Sequence, residues 1–187
     1  MNMALNVHET HTMEDRRLPF IFHTDPVERI KERGSNWHEN IELLCFIEGE
    51  GRLHIDERHI AVKAGDVAVI NADELHSVVS ESCAVYHCLI IDNEFCTENG
   101  IDVRRLNFSA VVTDGPLFSE FTRLALEITD PNKPHAIPSI RHGVLGILLN
   151  ICKNHSKAFC PRLMMTVYTN IKYRLKDADK MKDKLKP

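Results

Sequence analysis

No stretch of this chain approaches the roughly 18 consecutive apolar residues that a membrane-spanning helix needs. The opening residues, MNMALNVHETHTMEDRR, lack the apolar run of a secretory signal. None of the 6 cysteines falls in a CxxC pair, so neither a zinc knuckle nor a dithiol redox centre has a sequence basis. Cys45 and Cys88 fall in strand patterns, away from basic clusters and helix starts, and nothing there activates a thiol. Phosphate loops and dinucleotide fingerprints are missing. Ser77, Ser80 and Ser82 sit near His76, but no nucleophile elbow surrounds them. The net charge of -4 gives no general excess of cations, which argues against a whole-surface nucleic-acid binder. These absences leave a globular chain, expected in a reducing cytoplasm with its thiols free.

What is present is organised. A chain of 187 residues, 43% hydrophobic and 27% charged, should bury about 70% of its unfolded surface without a staple. Residues 1–17 are polar and read as an arm. From Leu18 to Ile91 the pattern is of short strands: Leu18–Phe22, Glu42–Ile47, Arg52–Asp56, His59–Val62, Asp66–Ile70, Leu75–Val79 and Val85–Ile91. In Glu42–Ile47, residues 43, 45 and 47 should face one way and 42, 44 and 46 the other. Gly49 and Gly51 are expected to form the turn that follows. After Asn93 the period becomes helical. Pro116 opens a first helix carrying Leu117, Phe121, Leu124 and Ile128. Asp130–Pro138 is expected as a loop, and a second helix over Ser139–Lys153 is apolar around much of its circumference. A third, from about Pro161 to Lys176, repeats Leu163, Val167, Ile171 and Leu175. The end of the chain is basic, with Lys172, Arg174, Lys176, Lys180, Lys182, Lys184 and Lys186, and reads as a solvated helix end or linker.

The stretch from Asn36 to His76 carries the chemistry. Asn36, His38 and Glu42 precede a strand, and His76 returns after Gly65 and a β-branched run. The first cupin motif is a glycine, five residues, then H-x-H-x(3,4)-E-x6-G; Asn36, His38, Glu42 and Gly49 stand in register, with Ile30 at the leading glycine. The second is G-x5-P-x-G-x2-H-x3-N. There Gly65 and His76 match, while Asn71, Asp73 and Ser80 replace the proline, glycine and asparagine. The chain resembles a cupin and, more narrowly, the N-terminal sensor domain of AraC-type transcription regulators. That resemblance implies a mainly β fold: a cupin-type double-stranded β-helix barrel over residues 18–111, then C-terminal α-helices over 112–176 for packing and dimerisation, then a basic tail or linker over 177–187. Regulators of this kind continue into helix-turn-helix units; the expectation is that this chain lacks them and reaches DNA only through that missing domain.

The expected ligand-binding residues are Asn36, His38, Glu42, His54, His76 and Tyr86. Of Tyr86 and His87 only one can face inward. Trp37 should turn away by strand parity. Two imidazoles and a carboxylate, His38, Glu42 and His76, suit a first-row metal. In cupin enzymes the position of Asn36 usually holds a third histidine, and asparagine is a weak neutral ligand. The expectation is therefore no catalytic residue, no enzyme, and no cofactor beyond an adventitious or weakly held divalent metal. The expected function is sensing of a small effector, such as a sugar, by a homodimer paired through its C-terminal helices, with no membrane role. The alternative is a metal-dependent cupin enzyme, such as a sugar isomerase or dioxygenase.

Overall fold

The computed structural model describes residues 7–28, 35–130 and 133–158, without the side chains of Glu28 and Ala158. The third helix expected from Pro161, the basic tail, Cys160 and the first six residues lie outside the described residues. By its contacts the chain divides into Met1–Lys157 and Ala158–Pro187; the account below concerns the first unit.

Its strands are β1 (Val7–His8), β2 (Phe20–Glu28), β3 (Asn36–Trp37), β4 (Ile41–Ile55), β5 (Arg58–Lys63), β6 (Val67–Ile70), β7 (His76–Val79), β8 (Cys83–Ile91), β9 (Leu106–Phe108), β10 (Val111–Val112) and β11 (Ser156–Ala158). The α-helices are α1 (Asn93–Glu98), α2 (Gly115–Ile128) and α3 (Ala136–Asn154). Strand β4 is the spine. Its first part, from Ile41, pairs with β8 and β6, and its last part, to Ile55, pairs with β5 and β7. One strand thus serves two layers. β2 and β10 extend the first layer through β8 and β6; β3 and β1 extend the second through β7.

This corrects one expectation. Gly49 and Gly51 are not a turn between two strands; they lie inside β4, where the ladder with β8 shifts register between Phe46 and Glu48. Gly49 has φ +75, and a Cβ there would stand 1.9 Å from the carbonyl oxygen of Cys83. Only glycine lets the chain bend and pass this close to β8. The hairpin turn follows at Asp56, with φ 51, and Glu57. An aspartate tolerates that left-handed conformation better than most residues.

The alternation within β4 places its side chains. Leu44, Phe46, Leu53 and Ile55 meet Val62, Ala68, Ile70, Ala84, Cys88 and Ile90 between the two layers. Leu43 and Cys45 face the other way, joining Val67, Val69, Leu89 and Ile91 beneath the helices. The first layer is therefore buried on both faces, and burial pushes the Cys45 thiol up to about 12. All five described cysteines are free.

Helix α2 starts where Asp114 accepts from the Leu117 N–H at 3.2 Å, with Pro116 in the first turn. Leu117, Phe121 and Leu124 then pack against Ile140, Val144 and Ile147 of α3 and the sheet below. α3 begins three residues before the expected Ser139, because Pro138 falls in its first turn, where its missing N–H leaves no bond unmade. The helices make a full layer, so the architecture is a cupin-like double-stranded β-helix of mixed α/β content with C-terminal helices, rather than a mainly β one. Among the described residues, no helix is long and apolar enough to cross a membrane.

Candidate metal centre and ligand cavity

Glu42 is the second residue of β4 and faces between the layers with Leu44 and Phe46. His38 lies just before β4, in the short link from β3. His76 opens β7, opposite Asn36 of β3 and Ile55 of β4. Local hydrogen bonds fix the approach to His76. The Glu74 carboxylate accepts from the Asn71 backbone N–H and from Asn71 Nδ2, each at 3.0 Å. Asp73, with φ 67, turns the chain and donates its N–H to the His38 carbonyl at 2.8 Å. Residues far apart in sequence are thereby clamped together.

The result is a buried cluster. Glu42 Oε2 lies 2.8 Å from His38 Nε2 and 3.0 Å from His76 Nε2. Glu42 Oε1 accepts from the Cys88 thiol at 3.2 Å. The other ring nitrogens face backbone carbonyls: His38 Nδ1 faces Asn40 O and His76 Nδ1 faces Glu74 O, each at 3.0 Å. Burial alone would raise the Glu42 carboxyl, but the hydrogen bonds and charges of the two histidines overcome it and hold the group well below the usual carboxylate range. Burial works against charge on His76 as well. There the Glu42 bond wins, and His76 is shifted upward. Burial, with Glu42 next, pushes the Cys88 thiol well up, so it is a thiol donor and not a thiolate ligand.

Each histidine meets an acceptor at both nitrogens, although a neutral imidazole has one N–H. With Nδ1–H donated to a carbonyl, Nε2 must either carry a second proton or give its lone pair to a cation. Metal-ligating histidines are held in this way, with the far N–H on a carbonyl that fixes tautomer and orientation. The ligand atoms of His38, Glu42 and His76 all lie within 4.8 Å of one another. Ligands around a tetrahedral zinc stand about 3.4 Å apart, so seating an ion would draw the farther atoms together and move Glu42 Oε2 slightly away from the two nitrogens. The donor set, two imidazoles and one carboxylate, fits a divalent first-row ion.

Beside the cluster lies a cavity of about 250 Å³ whose lining includes Asn36, Glu42, His76 and Tyr86. Cys88 also borders it. Tyr86 rather than His87 faces inward, with its ring 5.5 Å from Phe46, while His87 Nδ1 meets the Thr24 hydroxyl at 2.9 Å. His54 is not brought to this cavity. It alternates with Leu53 and Ile55, which fill the space between the layers, and its ring meets His59 at 4.3 Å. Trp37 turns aside and stacks on His8, with ring centroids 4.3 Å apart.

Three lining groups went unforeseen. His23 and Asp25, 3.0 Å apart, come from the part of β2 beyond the expected end at Phe22. Pro26 lies within β2, which among the described residues pairs only with β8, and an edge strand tolerates a proline. Glu9 comes from the arm. The Glu9 N–H donates to Trp37 O at 3.0 Å, and Asn36 Nδ2 donates to Glu9 Oε2 at 3.4 Å. Beyond it, the His11 side chain is only 5% exposed. Burial, with His38 next, lowers its proton affinity.

A protein-family model, the AraC-like ligand binding domain, matches residues 29–140. The chain belongs to this family. No curated protein matches it. Among solved structures it is similar to a predicted oxalate decarboxylase from Thermotoga maritima, at 24% identity and a TM-score of 0.36, over 38% of this chain and 64% of that one. The chain thus covers under two thirds of the Thermotoga protein. It is also similar to a cupin 2 conserved barrel domain protein from Salinispora arenicola, at 18% identity and a TM-score of 0.40, over 48% and 77% of the two chains. A putative ethanolamine utilization protein Q from Salmonella typhimurium matches at 14% identity and a TM-score of 0.36, over 39% and 58%.

The expectation that this family member is not an enzyme is corrected by the cluster itself. Asn36 was taken to break the metal set, yet His38, Glu42 and His76 converge without it. Three converging ligands beside a cavity would leave a bound ion room for a further ligand and for a substrate oxygen, as catalytic rather than structural sites do.

Proposed function

We propose that this AraC-like domain is a metal-dependent cupin enzyme. It holds one divalent ion on His38, Glu42 and His76 and acts on a small polyhydroxy substrate in the adjoining cavity. The observation that carries this reading is the pair of Nε2 atoms aimed at one carboxylate oxygen while both Nδ1 atoms are anchored on carbonyls. The ion would polarise a substrate oxygen or lower the pKa of a bound water. The chain's own groups do the rest. His23, Asp25 and Glu9 offer hydrogen bonds to hydroxyls, Tyr86 provides an aromatic wall, and the layers around Leu44 and Ile90 keep the inner end dry. Among the described residues the cavity lining has three carboxylates, Glu9, Asp25 and Glu42, and no lysine or arginine. Even with a divalent ion bound, the three carboxylates would leave the lining without net positive charge and no basic side chain pairs an acid, so neutral polyols suit the site better than small acids. Closure of the two layers into a barrel around the site, the residue assignments and the 18–111 and 112–176 division belong to this same proposal.

The zinc- or manganese-loaded chain should therefore gain about 5–10 °C in melting temperature with a saturating polyol, the scale of a ligand near 100 times its dissociation constant. Dicarboxylates should give no gain. Stabilisation by dicarboxylates alone would refute the substrate class. Proton NMR of the incubated polyol then reads turnover directly.

The family match favours a second reading, in which occupancy of the same cavity is the signal of a transcription regulator. The partner surface would be the helical layer, where Leu126 is 67% and Leu149 45% exposed. Sedimentation velocity should then show a dimer that Leu126→Glu dissociates. A monomer at high concentration would remove this support.

A further inference from the structure

The arm brings a third imidazole to the cluster. β1 pairs in parallel with β3, matching Val7 to Asn36 and His8 to Trp37. Val7 N–H donates to Ser35 O at 3.0 Å, and His8 Nε2 lies 3.0 Å from Glu39 Oε1. These bonds fasten the chain three residues before His11. The His11 ring lies 4.5 Å from the His38 ring, tilted by 60°. Both of its nitrogens are buried without a hydrogen-bond partner. The Glu9 carboxylate is 3.5 Å from Nε2, within ion-pair range but without hydrogen-bond geometry.

A buried polar atom left unsatisfied costs about 1–3 kcal/mol, so an imidazole sealed here with Nδ1 unbonded and only the 3.5 Å Glu9 contact at Nε2 calls for a ligand. Packing alone would be served better by a leucine or phenylalanine. Asn36 cannot supply the missing donor, because its amide is turned to Glu9. We propose that His11, delivered by the N-terminal arm, is the fourth protein ligand of the ion held by His38, Glu42 and His76. This rests on the metal reading above. His11 is outside the three-residue set that already converges, and loading would turn its ring inward. The arm would thereby be tied to the metal, and the site completed by a segment remote from both cupin motifs.

The test uses the full chain, zinc(II), calorimetric titration and X-ray absorption. Wild type should bind one zinc with three imidazoles, and His11→Ala should bind with two and about 10- to 100-fold more weakly, a range that loss of a mere supporting partner already reaches. Metal-free His11→Ala should melt no lower than wild type, because an unsatisfied group has gone. A clear drop in that melting temperature, with zinc affinity unchanged, would make His11 a packing residue and overturn the proposal. Tight wild-type binding with two imidazoles in both proteins would also overturn it while leaving the metal reading intact. If wild type binds no zinc and His38→Ala changes nothing, the metal reading itself has failed and this inference goes with it.

Discussion

Replacing Glu42 with glutamine should weaken zinc binding about a thousandfold, or about 4 kcal/mol, and should cost the metal-free domain about 3–5 kcal/mol of stability. Both effects have one origin. Glu42 carries the only anionic atom of the cluster, and two buried imidazoles and a buried thiol direct their bonds at it. Glutamine keeps the length and the acceptor oxygen but removes the charge. The ion then meets neutral donors alone. Without the ion, His38 and His76 must still face Asn40 O and Glu74 O, now with no carboxylate to balance a second proton. Calorimetric titration and urea unfolding of the same variant read the two losses separately. Wild-type zinc affinity in Glu42→Gln would remove the carboxylate from the site, and unchanged urea stability would show that the cluster is not a buried charge network.

The second large effect is on pH. Glu42 is held below the ordinary carboxylate range, so its contribution is present above the unfolded value near 4.5 and is lost as pH falls through the lower folded value. His76 is shifted the other way. Its contribution is complete below the unfolded value near 6.5 and disappears as pH rises through the higher folded value. The metal-free domain should therefore gain most from this cluster between about pH 4.5 and 6.5, with each tenfold change in proton affinity worth about 1.4 kcal/mol. Zinc competes with the Nε2 protons, so its stabilisation must run oppositely and grow from pH 5.5 to 8. Scanning calorimetry with and without zinc across that range should show the metal-induced shift in melting temperature rising with pH. A shift independent of pH would mean that the ion binds away from the histidines.

Much of this site could be read from the sequence, for reasons particular to each residue. A period of two in Glu42–Ile47 put Glu42, Leu44 and Phe46 on one face, and the structure uses that face for both cavity and cluster. His76 was accessible because Gly65 and the β-branched run of β6 imply a return of the chain. The same logic failed at Gly49 and Gly51. A glycine that bends a strand and one that ends it look alike without the neighbouring strand, and here the deciding contact is the Cys83 carbonyl. His54 was misdirected because its inward neighbours, Leu53 and Ile55, were not recognised as the core between the layers. His23 and Asp25 lie past the expected strand end at Phe22, and β2 runs on through Pro26 because an edge permits it. Glu9 left no local signal, and two histidines, His8 and His11, in a polar terminus carry little weight on their own. Their positions depend on a parallel pairing of two residues with Asn36 and Trp37, across 29 positions of register, and a polar arm carries no periodicity to announce it.

Although position 36 holds no histidine, the chain keeps a buried cluster of His38, Glu42 and His76 compatible with a divalent ion. Four buried polar side chains, two carbonyl anchors and a turn at Asp73 are more than an inert hydrophobic domain requires. Anomalous diffraction at the zinc absorption edge, from crystals of the zinc-loaded protein, tests this most directly. A single peak within bonding distance of His38, Glu42 and His76 is the predicted result; an empty position there, with zinc found only on surface histidines such as His54 and His59, would contradict it.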